Sequence, residues 1–178
     1  MTIPKLLPLT LKPGQDPNQP GRIWHHAERL GKGYQWIQRS EITGGFVDAA
    51  LSFIKQAQQD QKSFYLNLWP DDVHSPFWPP VDKWGDGKKR TLYFAVLEEM
   101  DRQLGRLFQH VQNDPKLAKN TIILACSDNG PDPGLGSPGP FRGYKTQLFE
   151  GGIRSSLVVW APTLMNEDAL GTVNQDSI

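Results

Sequence analysis

The sequence has a single cysteine, no net charge and no long apolar run. One cysteine, Cys126, occurs in 178 residues, which excludes an internal disulfide and a zinc site built from several cysteines. Nineteen basic side chains balance nineteen acidic ones, so no overall electric field attracts the protein to nucleic acid or to an anionic membrane. No stretch approaches the roughly 18 apolar residues of a membrane span. The sequence therefore predicts neither nucleic-acid binding nor a membrane span.

The amino terminus also lacks the pattern of a secretory signal peptide. Three prolines interrupt residues 1–15, and no compact apolar core is followed by a cleavage site. Cys126 leaves the redox compartment undecided, and it lies in an apolar run, where we expect a small buried side chain. The amino-acid sequence therefore does not assign a localisation to the chain.

Composition divides the chain near residue 41. Residues 1–41 are rich in Pro, Gly, Gln and Arg and show little periodicity, so we expect an irregular segment with weak order there. Residues 42–178 carry the patterns of helices and strands. The total length suits about one domain.

Two segments have apolar residues at the three- and four-residue spacing of an amphipathic helix. The first runs from Thr43, which we expect to cap it, to about Asp60. Its apolar residues are Phe46, Ala49, Ala50, Phe53, Ile54 and Ala57. The second covers residues 90–112, and its apolar stripe consists of Val96, Met100, Leu104, Leu107 and Val111. Charged side chains occupy the other positions, so each helix is expected to bury one face.

Three short segments have the composition of β-strands. They are residues 63–69, 120–127 and 155–162. The last two are mostly apolar, which favours strands buried on both faces of a sheet that helices cover. The order of helices and strands predicts an α/β fold, in which ligands bind beyond the carboxyl ends of the strands. The loops after Trp69 and Ser127 are therefore where functional residues are expected.

Asp128, Asn129 and Gly130 directly follow the second of these strands. Carboxylate and amide oxygens suit a hard cation such as calcium, which takes about six to eight oxygen ligands, so two are too few for a complete site. A turn explains the same tripeptide, because Asp and Asn hydrogen-bond their own backbone and glycine accepts a positive φ. The tripeptide alone favours the turn.

His74 lies in a proline-rich loop after the first predicted strand. Its imidazole could donate to an anionic oxygen or transfer a proton near neutral pH, although most single loop histidines are solvated surface residues. Asp71 and Asp72 precede it and could raise its pKa or bind a cation. A pair of acids at a loop tip is also a common turn feature, so the two interpretations stay open.

A local positive cluster occurs late in a chain that has no net charge. It is formed by Arg142, Lys145 and Arg154. Guanidinium and ammonium groups of this kind bind phosphate or sulfate. Solvated surface charge on a long loop is the simpler explanation when the segment is considered alone.

Taken in order, these segments resemble the sulfatase family, which consists of formylglycine-dependent enzymes of the alkaline-phosphatase-like superfamily. The resemblance covers about residues 42–162 and is carried by FYLNLWPDDVHSP, EEMDRQLGRL, NTIILACSDNG and FRGYKTQLFEGGIRSSLVVWAP. The first stretch is similar to the strand and loop of the family's active-site histidine, and the second to the helix that follows. The third resembles its Asp-Asn calcium strand, and the fourth its Gly-x-Lys and Glu-Gly-Gly-x-Arg segment.

The resemblance implies a partial sulfatase-like sheet flanked by helices, and a role for each candidate residue. Asp128 and Asn129 correspond to calcium ligands. Lys145 corresponds to a lysine on the sulfate, and His74 to a histidine that touches the sulfate or its leaving oxygen. Two further residues, Arg142 and Arg154, are expected to bind substrate. The Glu-Gly-Gly residues, Glu150, Gly151 and Gly152, are expected to shape the turn.

Two features of the family are absent from the sequence. Family members begin with a strand that carries two adjacent aspartates for the metal, followed by a Cys-x-Pro-x-Arg or Ser-x-Pro-x-Arg type signature whose first residue becomes formylglycine. Cys126 is followed by Ser-Asp-Asn-Gly and no serine begins such a string, so the chain offers no nucleophile. Next to the histidine, Val73 and Ser75 replace the usual proline and threonine. We therefore expect the central part of a sulfatase domain, with both ends of the family domain missing.

Three functional hypotheses follow. In the first, the complete protein hydrolyses sulfate esters, of carbohydrates in particular, and this chain alone has negligible activity and weak calcium affinity. Members of the family are usually periplasmic, extracellular or lysosomal. In the second, the chain is a non-catalytic remnant that binds sulfated glycans. In the third, it belongs to a phosphatase or phosphodiesterase of the same superfamily, whose additional His and Asp ligands are not recognisable here. In each case, uncovered apolar faces and strand edges are expected to favour self-association.

Overall fold

A computed structural model of the protein describes residues 7–11 and 34–173, with side chains from residue 38 onward. The chain divides into two compact units, Met1–Leu107 and Phe108–Ile178. The strands and helices of the described residues are, in chain order, β1 (Leu7–Leu11), β2 (Tyr34–Gln38), α1 (Ile42–Gln59), α2 (Lys89–Asn113), α3 (Pro115–Lys119), β3 (Ile123–Cys126), α4 (Glu150–Ile153) and β4 (Leu157–Trp160).

The first unit contains a short parallel pair of strands. β1 lies beside β2, with Leu7 opposite Tyr34 and Leu11 opposite Gln38. Both strands fall within the segment 1–41, so the prediction of irregular structure is wrong for them. β2 contains Tyr, Trp and Ile, which favour strands, whereas β1 contains a proline and gives little local signal.

Helix α1 confirms the first predicted helix, but its buried face is rotated from the expected one. The buried residues recur at helical spacing and are Thr43, Val47, Ala50, Ile54 and Ala57. Phe46 and Phe53 remain 41% and 39% exposed. Phe53 packs edge-on against Phe64, with 6.2 Å between the ring centroids. Aliphatic residues and Thr43 therefore form the buried stripe, and the aromatic rings lie at its margin.

Thr43 does not cap α1 as the sequence suggested. The helix begins at Ile42 with Glu41 at the N-cap position, and no side chain caps it. Thr43 is fully buried within the first turn. A buried hydroxyl needs a hydrogen-bond partner, and the Thr43 hydroxyl donates to a carboxylate oxygen of Asp72 at 2.7 Å.

Helix α2 confirms the second predicted helix, which begins in the first unit and ends in the second. Its buried apolar residues are Ala95, Val96, Leu107 and Val111. Glu99 and Gln103 are buried as well, although the sequence placed Glu99 on the polar face. Arg102 Nε donates to Glu99 at 3.0 Å, and Gln103 Nε2 donates to the Ser40 carbonyl at 2.8 Å. The Arg102 guanidinium beside Glu99 holds the pKa of that carboxyl below its ordinary value.

The strand predicted for residues 63–69 is not formed. The alternation on which that prediction rested is nevertheless visible, because Phe64, Leu66 and Leu68 are partly buried. Tyr65 and Trp69, in contrast, are 83% and 78% exposed. None of the described strands pairs with this segment through ladder hydrogen bonds. Side-chain periodicity therefore predicted the alternation of burial correctly, but could not supply a neighbouring strand.

The second unit contains the other two predicted strands, each shorter than expected. β3 and β4 pair antiparallel, with Ile123 opposite Trp160 and Cys126 opposite Leu157. The short helix α3 precedes β3 and is capped by Asp114, whose carboxylate accepts hydrogen bonds from the amides of the first turn.

The β3–β4 sheet is exposed, contrary to the expectation that these strands are buried on both faces. Leu124 is 63% exposed and Val158 is 62% exposed. Cys126, expected to be a buried residue, is exposed at the end of β3. The reason is that this sheet has only two strands among the described residues, so most of its apolar surface has no covering layer. None of the described helices combines the length and apolar character needed to cross a membrane.

Candidate functional site

Asp128 and Asn129 lie in the loop after β3, and neither side chain hydrogen-bonds another described residue. Asp128 is exposed and Asn129 is partly exposed. The Ser127 hydroxyl donates to the Asn129 carbonyl at 2.9 Å. The turn explanation required the Asp and Asn side chains to bond their own backbone, which they do not do in the described part of the chain. Their oxygens are therefore available to an external ligand.

Gly130 is required by a close approach between backbone segments. Its φ is not positive, so the positive φ that the turn explanation assigned to it is wrong. A Cβ at this position would lie 1.9 Å from the Gly151 carbonyl oxygen. The Gly130 amide donates to the Gly152 carbonyl at 2.8 Å. This contact joins the loop of Asp128 and Asn129 directly to the Glu-Gly-Gly segment.

Lys145 is held beside the same loop by its backbone. Its amide donates to the Pro131 carbonyl at 3.0 Å, just beyond the Asp-Asn-Gly tripeptide. The side chain is partly exposed, and its ammonium group makes no ion pair with another described residue. A compact positive charge of this kind is suited to an anionic ligand.

Gly151 and Gly152 confirm the prediction that they shape the turn. Both are buried, and the Gly151 amide donates to the Arg142 carbonyl at 2.8 Å. A Cβ on Gly151 would lie 2.3 Å from the Gly143 carbonyl oxygen, and one on Gly152 would lie 2.0 Å from the Gln147 carbonyl oxygen. Only glycine permits the backbone to pack this closely.

The two arginines of the positive cluster stack on aromatic rings. The Arg142 guanidinium lies 3.9 Å from the Phe149 ring centroid, and the Arg154 guanidinium lies 4.7 Å from the Phe141 centroid. Arg154 Nη1 also donates to Glu150 at 3.3 Å. Such cation–π contacts fix the guanidinium planes. Both arginines therefore order the loop that carries Lys145, whatever contact they make with an anion.

The oxygen donors of this cluster fit a hard cation in chemistry but not in number. Asp128 offers an unpaired carboxylate and Asn129 an amide oxygen, the ligand types that calcium prefers. Across residues 38–173, no three His, Cys, Asp or Glu side chains lie close enough together to hold a metal ion. The two residues amount to part of a set of about six to eight ligands.

His74 lies in the first unit, in an exposed loop. Its Nδ1 atom is 2.7 Å from the carbonyl oxygen of Ser75. A carbonyl oxygen only accepts hydrogen bonds, so this contact requires the proton on Nδ1. The Nε2 atom then carries the lone pair of the neutral ring.

Arg39 and Thr43 hold the His74 loop, and the sequence did not single out either residue for this role. Arg39 is buried; its Nη2 donates to the His74 carbonyl at 3.0 Å and its Nη1 forms an ion pair with Asp71. Thr43 donates to Asp72, as described above, and burial raises the pKa of the Asp72 carboxyl. The only signal in the sequence was the adjacent pair of carboxylates, which did not identify their partners.

The predicted site residues thus fall into two groups. The structure brings one group together on neighbouring backbone segments of the second unit: Asp128, Asn129, Arg142, Lys145 and Arg154. His74 belongs to the first unit, where Arg39 and Thr43 hold its loop through the His74 carbonyl and the carboxylates of Asp71 and Asp72.

The chain is similar to known proteins over most of its length. The family model described as Sulfatase matches residues 25–176. The N-acetylgalactosamine-6-sulfatase of Canis lupus familiaris is 30% identical over 158 residues, an alignment that covers 82% of this chain and 29% of that protein. The chain therefore spans less than a third of the length of this relative.

Two solved structures are also similar. The PsFucS1 sulfatase from Pseudoalteromonas sp. matches with a TM-score of 0.55 and 29% identity, over 68% of this chain and 25% of that chain. A Bacteroides thetaiotaomicron protein, solved in a study of the metabolism of multiple glycosaminoglycans, matches with a TM-score of 0.61 and 26% identity, over 72% of this chain and 28% of that chain.

Proposed function

The chain belongs to the sulfatase family and has part of its alkaline-phosphatase-like α/β fold, and on this premise we propose that it supplies cation-binding and sulfate-binding groups to an enzyme that hydrolyses sulfate esters. The proposed substrates are sulfated carbohydrates. The relative from Canis lupus familiaris is an N-acetylgalactosamine-6-sulfatase, which supports this substrate class.

One observation carries the proposal. The amide of Gly130 bonds the Gly152 carbonyl at 2.8 Å, and the amide of Lys145 bonds the Pro131 carbonyl at 3.0 Å. These two bonds hold the loop of Asp128 and Asn129 beside the segment of Lys145. The backbone segments that carry oxygen donors for a cation and a positive charge for an anion are thus neighbours, which supports a site where sulfate binds next to a metal ion.

Each residue has a separate role in this proposal. Asp128 and Asn129 bind the cation, for which we propose calcium; when bound, it stabilises negative charge on sulfate oxygens. The Lys145 ammonium adds a second positive charge. His74 Nε2 takes up a proton and then donates it to the oxygen that leaves, while Nδ1–H stays on the Ser75 carbonyl. Arg142 contributes through the N–H edge of its stacked guanidinium.

Arg154 is proposed as a weaker substrate contact, because one of its N–H groups is already directed to Glu150. The nucleophile of the complete enzyme is proposed to be a formylglycine, and this chain has no residue in the sequence context from which one forms. The chain alone is therefore expected to hydrolyse no sulfate ester. Its calcium affinity is expected to be weak, because a cation bound to Asp128 and Asn129 alone keeps most of its water ligands.

The cation-binding role is tested by calcium titration of the full chain, followed by the amide signals of the Asp128 loop. Asp132 lies nearby in the same loop and provides a matched control for the loss of one negative charge. Calcium is expected to move the Asn129 amide signal in the wild type and in Asp132→Asn, but not in Asp128→Asn. Equal responses of the two variants would reject a specific role for Asp128.

The expected inactivity is tested with an aryl sulfate substrate and the purified chain. No turnover above the uncatalysed rate is expected, with or without calcium. Turnover that disappears in Lys145→Ala would overturn the statement that the chain alone is inactive.

A further inference from the structure

We propose that Arg39 is a positioning residue for His74, and that it keeps the imidazole in the tautomer with the proton on Nδ1 and Nε2 free to act. The inference rests on the proposed role of His74 and adds to it the residue that fixes the ring. It follows from contacts within the first unit alone.

Arg39 ties together two points of the histidine loop. Its guanidinium pairs with the Asp71 carboxylate through Nη1 and donates to the His74 carbonyl through Nη2 at 3.0 Å. The planar fork of an arginine suits two acceptors at fixed positions, whereas a lysine offers a point charge. Because Arg39 is only 7% exposed, losing either acceptor would leave a buried charge poorly compensated. Burial of Arg39 therefore favours the conformation in which both Asp71 and the His74 carbonyl contact its guanidinium.

A second tether acts on the residue between these two points. Thr43 is fully buried at the start of α1 and donates to Asp72 at 2.7 Å. One turn further along α1, Val47 is 0% exposed, so the start of this helix is held in the core. The backbone of the loop is therefore fixed on both sides of Val73, although the His74 ring itself is exposed.

The fixed backbone has a chemical consequence at the ring. With the His74 carbonyl held by Arg39, Nδ1 lies 2.7 Å from the Ser75 carbonyl oxygen and must donate to it. A solvated imidazole without this contact populates both tautomers. Holding one tautomer leaves Nε2 as the single nitrogen that exchanges a proton or hydrogen-bonds a ligand.

The test is nitrogen NMR of the full 178-residue chain, labelled at histidine and measured at about pH 9, where a free imidazole is neutral. His74→Gln identifies the His74 signals among those of the four histidines. Arg39→Met keeps much of the buried side-chain volume and removes both donors. Arg106→Met is the matched control, because Arg106 pairs with Asp48 at 2.5 Å in the same unit and, among the described residues, forms no hydrogen bond or ion pair with the histidine loop.

The wild type and Arg106→Met are expected to show His74 with the proton on Nδ1, and Arg39→Met is expected to show a mixture of tautomers. A wild-type ring protonated on Nε2, or an unchanged tautomer in a folded Arg39→Met chain, would overturn the inference. If circular dichroism shows that Arg39→Met is unfolded, the double variant Arg39→Met/Asp71→Asn removes the carboxylate left unpaired, and the same outcomes apply to it. No sulfated ligand enters the measurement, so failure of the proposed function would leave its result intact.

Discussion

Replacing Gly152 by alanine tests the close packing of the turn between Lys145 and Gly152, whose Gly152 carbonyl accepts the hydrogen bond from the Gly130 amide of the Asp128 loop. The added Cβ would lie 2.0 Å from the Gln147 carbonyl oxygen and 2.5 Å from the Tyr144 carbonyl oxygen. Both neighbours are backbone atoms, so the clash cannot be relieved by turning a side chain. The turn itself must move.

The expected loss of stability follows from two terms. Overpacking of this kind costs about 1–3 kcal/mol. The shift would also weaken the hydrogen bond from the Gly130 amide to the Gly152 carbonyl, a net term of about 1 kcal/mol. Together they predict a loss of about 2–4 kcal/mol, a substantial part of the roughly 5–15 kcal/mol that stabilises a typical domain.

Gly105 provides the matched control. It lies inside α2, its φ is not positive, and a Cβ there would meet nothing within 4 Å. Alanine at this position is expected to stabilise the helix by about 0.5–1 kcal/mol. Urea unfolding followed by circular dichroism compares the two variants with the wild type. A Gly152→Ala midpoint equal to that of Gly105→Ala would refute the close packing of Gly152 against the Tyr144 and Gln147 carbonyls.

Three further predictions concern other parts of the chain. Burial raises the pKa of Asp72, so the folded chain loses stability as the pH rises through that folded-state pKa. Asp72→Asn is therefore expected to raise the melting temperature at pH 7. Below about pH 4, where the carboxyl is protonated in both states, the two chains are expected to melt at similar temperatures. Thr146 adopts a φ of 74°, and Thr146→Gly is expected to stabilise the chain by about 1 kcal/mol in urea unfolding. Val158 is 62% exposed on the β3–β4 sheet, and Val158→Lys is expected to reduce self-association of the chain in sedimentation velocity. An unchanged distribution of sedimentation coefficients would show that this surface does not mediate self-association.

The helices could be predicted from the sequence because their pattern is local. The spacing of Val96, Leu107 and Val111 depends only on the chain around them, and α2 buries all three. The burial of Glu99 could not be predicted in this way, because it depends on Lys83, which lies outside α2 and whose ammonium is 3.4 Å from the Glu99 carboxylate. A buried charge is decided by partners that a helical pattern does not contain.

Strand burial was predicted less well, for a related reason. Residues 63–69 alternate as a strand does, yet a strand exists only where a second strand completes its hydrogen bonds. Leu124 and Val158 lie in correctly predicted strands and still remain exposed, because burial requires layers that the described chain does not provide.

The sequence could name candidate residues for the site but not their geometry. Family resemblance singled out Asp128, Asn129 and Lys145, but the bond from the Gly130 amide to the Gly152 carbonyl joins residues distant in sequence. The same limit applies to Arg39, which lies far from His74 along the chain.

The proposed function is tested most directly by titrating the full chain, with calcium present, with a sulfated disaccharide and with its desulfated form, while recording backbone amide signals. The sulfated form is expected to move the Asn129 and Lys145 signals, and the desulfated form is expected to leave them in place. The response should disappear in Lys145→Ala and persist in Lys116→Ala, a control on an exposed lysine of the same unit. Equal responses to the two disaccharides, or an undiminished response in Lys145→Ala, would contradict the assignment of sulfate binding to this cluster.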